Sequence, residues 1–196
     1  MPPRVVILLS IMSYMACDSP FSTREPEEPE ERNPSSYTNP IFPETVFRNL
    51  QFAFSERNVE SYMQSFVDSS RSERRFQFVP DQGFAANNPG AFDFWNLREE
   101  RTQLEKVFLA TPADSFIALQ FIRQEFTQQT NTAIFVHDYV LTLKHTRASR
   151  NIPTEFQGRA TFSLEQNETG SWAIYRWEDS GSGQDPTWSR LKASSF

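Results

Sequence analysis

The chain predicts an α+β fold in which three N-terminal helices pack on one face of a curved antiparallel sheet. Two observations carry that reading. Between Pro43 and Leu109 the apolar residues recur mostly at helical spacing, whereas beyond Thr111 and Pro112 they alternate with period 2. Helices followed by a run of strands mark an α+β domain rather than an alternating α/β one. The third observation is aromatic mass: 19 Phe, 5 Tyr and 4 Trp make up 14% of the 196 residues, enough to fill one core.

Taken in order, Pro43 sits at a helix start, and Val46, Phe47, Leu50, Ala53 and Phe54 share a face, which predicts a helix over Glu44–Glu56 with an acidic first turn. Asn58 reads as the N-cap of a short second helix, Val59–Val67, with Val59, Tyr62, Met63 and Phe66 on one side. Arg75–Val79 alternates like a strand and stops at Pro80. A loop containing Asn87–Gly90 leads to a longer helix, Phe92–Leu109, with Leu97, Leu104 and Phe108 facing inward. Four strands follow, Ser115–Arg123, Ala133–His145, Glu155–Gln166 and Trp172–Asp179, the last two joined by a hairpin turn over Asn167–Ser171.

The N-terminus has a different character. Arg4 precedes the apolar run Val5–Met12, which is far short of the roughly 20 residues a spanning helix needs, so residues 1–16 read as a secretory signal peptide. Ala16 stands directly before Cys17, the sole cysteine, and this resembles the lipobox of bacterial lipoproteins, with Tyr14 where such motifs usually carry Leu. The resemblance implies that Cys17 becomes an acylated N-terminus anchored in membrane lipid. The protein would then sit in the cell envelope, on the outer face of the inner membrane or on the outer membrane. The competing reading of Cys17 is an incidental or buried cysteine behind an ordinary signal peptide. Residues 17–43 read as the lipidated cysteine and a disordered tether, because a stretch rich in Pro, Glu, Ser and Asn buries too little surface to offset ordering entropy; the rival reading is an acidic interaction arm. Extended at about 3.3 Å per residue it reaches on the order of 80 Å. The domain proper is expected over 44–196.

Several classes of function fall away. A formal net charge of −6 argues against nucleic acid, which selects a basic surface. With Cys17 processed there is no thiol nucleophile and no disulfide, and Gly181–Gly183 is a flexible turn rather than a nucleophile elbow or phosphate loop, so no cofactor is expected. No metal site is expected either: His137 and Asp138 point to opposite faces of a strand, and His137 and His145 lie about 26 Å apart along it at about 3.3 Å per residue.

The order helix, helix, strand, long helix and four antiparallel strands, with "FPETVFRNLQFAFSERNVESYMQSFVDS" in front and "WAIYRWED" then "TWSRLKA" behind, resembles the nuclear transport factor 2-like superfamily, which includes ketosteroid isomerase and scytalone dehydratase. The resemblance covers most of Pro43–Lys192. It implies a cone-shaped curved sheet opening on a pocket between sheet and helices, and says little about activity.

The candidate pocket residues are Tyr62, Trp95, Arg101, His137 and Tyr139. Phe135, His137, Tyr139, Leu141 and Leu143 share one strand face, opposite Val136, Asp138, Val140 and Thr142. There His137 reads either as a general base or as a satisfied core histidine, with Tyr139 the second catalytic candidate. Arg101 interrupts the apolar face of the long helix and reads either as a contact for an anionic ligand or as a rim residue paired with a carboxylate such as Glu105. Tyr175 and Trp177 are expected on one face of the last strand, which reads either as an outward dimer or partner surface or as a buried face with "TWSRLK" folding back over it. The expected function is a module that binds a small apolar or anionic ligand, a second copy of itself or an envelope protein. The alternative is a cofactor-free isomerase or dehydratase using His137 or a pocket tyrosine.

Overall fold

The structure, a computed structural model, describes residues 35–70, 72–147, 150–181, 183 and 185–196. The expected signal peptide, Cys17 and the tether as far as residue 34 lie outside the described residues. Ser35–Phe42, read from sequence as the end of that tether, is tied to the domain. Asn49 accepts from the Thr38 N–H at 3.0 Å and donates to the Thr38 carbonyl at 2.7 Å, and the Trp172 N–H reaches the Pro40 carbonyl at 2.8 Å. These are backbone contacts, which polar composition does not reveal.

Helix α1 (Pro43–Ser55) opens on a proline whose missing N–H costs nothing at that position, and buries Val46, Phe47, Leu50, Ala53 and Phe54, the face expected. Just past the helix C-cap Glu56, Arg57 lies in the left-handed region at φ 53°, and its guanidinium donates to the carbonyls of Pro112, Ala113 and Ser115 and so ties this turn to the loop before the main sheet. Asn58 caps α2 (Val59–Met63) by accepting from the Ser61 N–H at 2.9 Å. α2 stops four residues earlier than its apolar spacing suggests. The Val67 N–H bonds the Ile174 carbonyl and the Ile174 N–H bonds the Ser65 carbonyl, so the chain leaves the helix to join the sheet edge.

β1 (Gln77–Val79) is followed by α3 (Gln82–Asn87), a one-turn helix the sequence did not disclose, capped by Asp81. α4 (Leu97–Leu109) starts five residues later than expected because the Asn96 side chain accepts from the Arg98 N–H and fixes the cap there. β2 (Ile117–Gln128), β3 (Thr132–Leu143), β4 (Glu155–Gln166) and β5 (Trp172–Ser180) follow, then α5 (Trp188–Ala193). The sheet order is β1-β5-β4-β3-β2, antiparallel except for the parallel β1–β5 pair. This is the expected α+β layout, a curved and unclosed sheet with helices on its inner face.

Two extra residues re-aim side chains. In β2 one falls between Arg123 and Glu125, and in β5 Tyr175 is the extra residue, because Leu164 faces Ile174 while Ser163 faces Arg176. Tyr175 and Trp177 therefore do not share a face, contrary to simple alternation. Trp177 turns inward and is fully buried, and Tyr175 lies outside with the Arg74 guanidinium 4.3 Å above its ring.

Candidate functional site

The interior of the cone is filled rather than open. Phe47 and Phe54 from α1, Phe66, Phe135 from β3, Phe162 from β4, Trp177 from β5 and Trp188 from α5 form a continuous aromatic core. Inward-facing positions on β3 place His137 and Tyr139 in this core as expected, and the opposite face carries Asp138, paired with Arg159 at 2.7 Å.

His137 is 5% exposed and packed by Phe47 at 4.3 Å, Phe121 at 5.2 Å and Phe135, whose ring lies nearly parallel at 5.6 Å. Neither ring nitrogen has a hydrogen-bond partner among the described residues. Burial disfavours the imidazolium, and Arg123, directly opposite on β2, adds to that; Asp138 acts weakly in the other direction, and the pKa falls to about 4. The ring is neutral at neutral pH, unoriented by any second group and walled off by hydrocarbon. His145 is structural: it accepts from the Arg147 N–H at Nδ1 and donates to the Pro153 carbonyl from Nε2.

Tyr62 and Trp95 converge on a residue the sequence reading passed over. Glu100, 3% exposed, accepts from Tyr62 Oη at 2.5 Å and from Trp95 Nε1 at 2.6 Å, and forms an ion pair with the equally buried Lys192 of α5. Burial, reinforced by the Glu100 charge, holds the Tyr62 phenol protonated, well above its ordinary pKa. Burial pulls Lys192 down from its ordinary pKa while Glu100 opposes the shift.

Tyr139 belongs to a second network. Its hydroxyl donates to Asp179 Oδ1 at 2.8 Å and accepts from the Trp188 N–H at 2.7 Å, while Asp179 Oδ2 accepts from the Ser189 N–H and hydroxyl at 2.7 and 2.5 Å. Desolvation raises the pKa of both Asp179 and Tyr139, in the tyrosine's case with the Asp179 charge adding to it. Gly158 permits the close approach, since a Cβ there would stand 2.9 Å from Tyr139 Oη and 2.7 Å from the Ser180 carbonyl.

Arg101 is not in the cone. It points to the rim and pairs with Glu60 across α2, Nη2 to Oε2 at 3.0 Å, rather than entering the pocket or pairing with Glu105. It lines an open cleft of about 440 Å³ whose apolar floor includes Met63, Leu97 and Trp172. A second hollow of the same volume lies over the outer sheet face at Ile122, Asp138 and Val140. Among the described residues no group of His, Cys, Asp and Glu is arranged to hold a metal ion, and no helix is long and apolar enough to cross a membrane.

The partners missed from sequence carried signals. Glu100 follows Leu97 by three residues and precedes Leu104 by four, on the buried stripe. Lys192 lies four after Trp188, and Asp179 two after Trp177.

No protein-family model matches the sequence, and no curated protein matches it significantly. Solved structures do resemble the fold. A conserved protein from Planctomyces limnophilus aligns with TM-score 0.52 and 13% identity over 69% of this chain and 89% of that one. A proposed aromatic ring hydroxylase from Novosphingobium aromaticivorans aligns with TM-score 0.51 and 11% identity over 76% and 92%. A proposed dehydratase of the NTF2-like family from Streptomyces avermitilis aligns with TM-score 0.47 and 11% identity over 69% and 90%. At these identities the likeness concerns architecture alone. Together with the strand order and the helix placement, it defines the class: an α+β fold in which helices pack on a curved, unclosed sheet.

Proposed function

We propose that the chain is a membrane-tethered lipoprotein of the cell envelope whose domain is a binding module for a small ligand or a protein partner. The observation that carries the binding reading is the closed cone. Its rings touch one another, and the carboxylates of Glu100 and Asp179 are taken up by neighbouring side chains and backbone N–H groups. A general base must reach the proton it removes, and His137 is enclosed by Phe47, Phe121 and Phe135. The rim cleft, with its apolar floor and the Glu60–Arg101 pair, is the surface that fits a partner or an apolar ligand.

The tether rests on sequence: an apolar run, Ala16 and the sole cysteine at position 17. Several acyl chains at about 0.8 kcal/mol per buried methylene give a durable anchor. The alternative, a cofactor-free isomerase or dehydratase, draws support from the enzyme name of one structural neighbour and from the tyrosine and histidine side chains inside the cone. Native mass spectrometry of protein taken from its own membranes separates these readings. A mass beginning at acylated Cys17, with a retained molecule, supports the lipoprotein and hands over the ligand. An unacylated chain beginning at Met1 sinks the anchor.

A further inference from the structure

Lys192 is the feature that stability does not explain. Its side chain is 3% exposed, and a buried ion pair recovers at best roughly what desolvation costs, so apolar side chains in place of both Lys192 and Glu100 would serve the core as well. What surrounds the ammonium is specific. Its Nζ lies 4.1 Å from the centroid of the Trp177 ring, 4.6 Å from Phe78, 5.6 Å from Trp95 and 6.0 Å from Trp188, with the Glu100 carboxylate completing the enclosure. Four aromatic rings and one carboxylate are the groups that recognise organic ammonium ions, through ring quadrupoles and a counter-charge.

The walls do not depend on the lysine. Trp95 is fixed by its bond to Glu100, Glu100 is also held by Tyr62, Phe78 packs on Phe92, and Trp177 packs on Phe162. Only Trp188 and Lys192 come from α5, a six-residue helix too short to persist away from its packing. The cage shares no side chain with the rim cleft.

We propose that this cage is a binding site for a small organic ammonium ion, filled in this structure by the chain's own Lys192, and that such a ligand enters by exchange with the Lys192 side chain as α5 releases. The inference stands apart from the rim cleft and from the anchor.

The test uses n-butylammonium, which copies the end of the lysine, and choline, each against sodium chloride at equal ionic strength, with tryptophan fluorescence and calorimetry as readouts. Wild-type protein is expected to respond saturably. Lys192→Ala, freed of its internal competitor, is expected to bind n-butylammonium at least about ten-fold more tightly than wild type. Pentan-1-ol, similar in shape but uncharged, is expected to bind that variant at least about ten-fold more weakly than the cation, and adding Glu100→Gln to remove a similar factor. Absence of a saturable response in the wild type, or equal binding of pentan-1-ol and n-butylammonium to Lys192→Ala, overturns the proposal. Should Lys192→Ala not fold, amide hydrogen exchange of wild-type α5 decides. Faster exchange at Ser189–Ala193 with choline supports exchange at the cage, and unchanged protection at the highest choline concentration refutes it.

Discussion

His137 makes the stability of this domain depend on pH in a way that one substitution removes. Its pKa falls from an ordinary 6.5 to about 4 in the folded state, first through burial and then through Arg123 across the β2–β3 ladder. Because the folded pKa is depressed, the unfolded chain takes up the proton first as pH falls. The contribution of the neutral ring is therefore complete above pH 6.5 and is lost between 6.5 and about 4. Linkage over this interval gives a loss of about 2 kcal/mol by pH 5 and about 3 kcal/mol by pH 4. For a domain of this size about 3 kcal/mol corresponds to roughly 6–12 °C in Tm. The assay is urea unfolding followed by tryptophan fluorescence across that pH range, on wild type and His137→Phe. Carboxylates also titrate there, so the decisive quantity is the difference between the two proteins, in which both the carboxylates and any fixed packing cost of the larger ring cancel. Wild type should lose about 3 kcal/mol more than His137→Phe between neutral pH and pH 4. Parallel curves would refute the reasoning, since they would mean that the imidazole keeps a partner or stays hydrated in the fold.

The other predictions follow from single contacts. Gly158→Ala places a Cβ 2.7 Å from the Ser180 carbonyl, a backbone atom that cannot give way cheaply, so thermal denaturation should show a loss of about 1–3 kcal/mol. Asn58→Ala removes the cap of α2 and should cost about 1 kcal/mol in urea unfolding. Arg101→Ala breaks an exposed pair and should change stability by less than about 1 kcal/mol in the same assay, while altering whatever occupies the rim cleft. Cys17→Ser should move the protein from the membrane pellet to the soluble fraction on cell fractionation; retention in the pellet would argue against acylation.

Where periodicity alone decides the structure, the sequence was readable. The buried face of α1 and the inward residues of β3 follow from apolar spacing, because each keeps one repeat, and both ends of β4 fall where expected. Misreadings occur where a local hydrogen bond or an inserted residue breaks the repeat. Tyr175 shifts the phase of β5, Asn96 delays α4, and the Val67–Ile174 pairing ends α2 early. Four of the five candidate side chains, Tyr62, Trp95, His137 and Tyr139, face the cone interior, whereas Arg101 lies at the rim. Their partners escaped notice because a buried charge looks the same in sequence as an exposed one. Glu100 and Arg101 are adjacent on α4; Glu100 lies on the stripe of Leu97 and Leu104, but the partners that hold it there, Tyr62, Trp95 and Lys192, come together only in the fold.

Both buried networks meet at the same short helix. Lys192 neutralises Glu100, while Ser189 and the Trp188 N–H complete the network of Asp179 and Tyr139. Each carboxylate sits in hydrocarbon, where losing its donors leaves an uncompensated charge that costs several kcal/mol. α5 is therefore held both by Trp188 and Leu191, buried in the core, and by the two acids beneath it. Withdrawing α5 would take these donors from both acids at once, so the proposed ammonium ligand, which supplies a cation to Glu100 alone, would replace only half of what α5 provides.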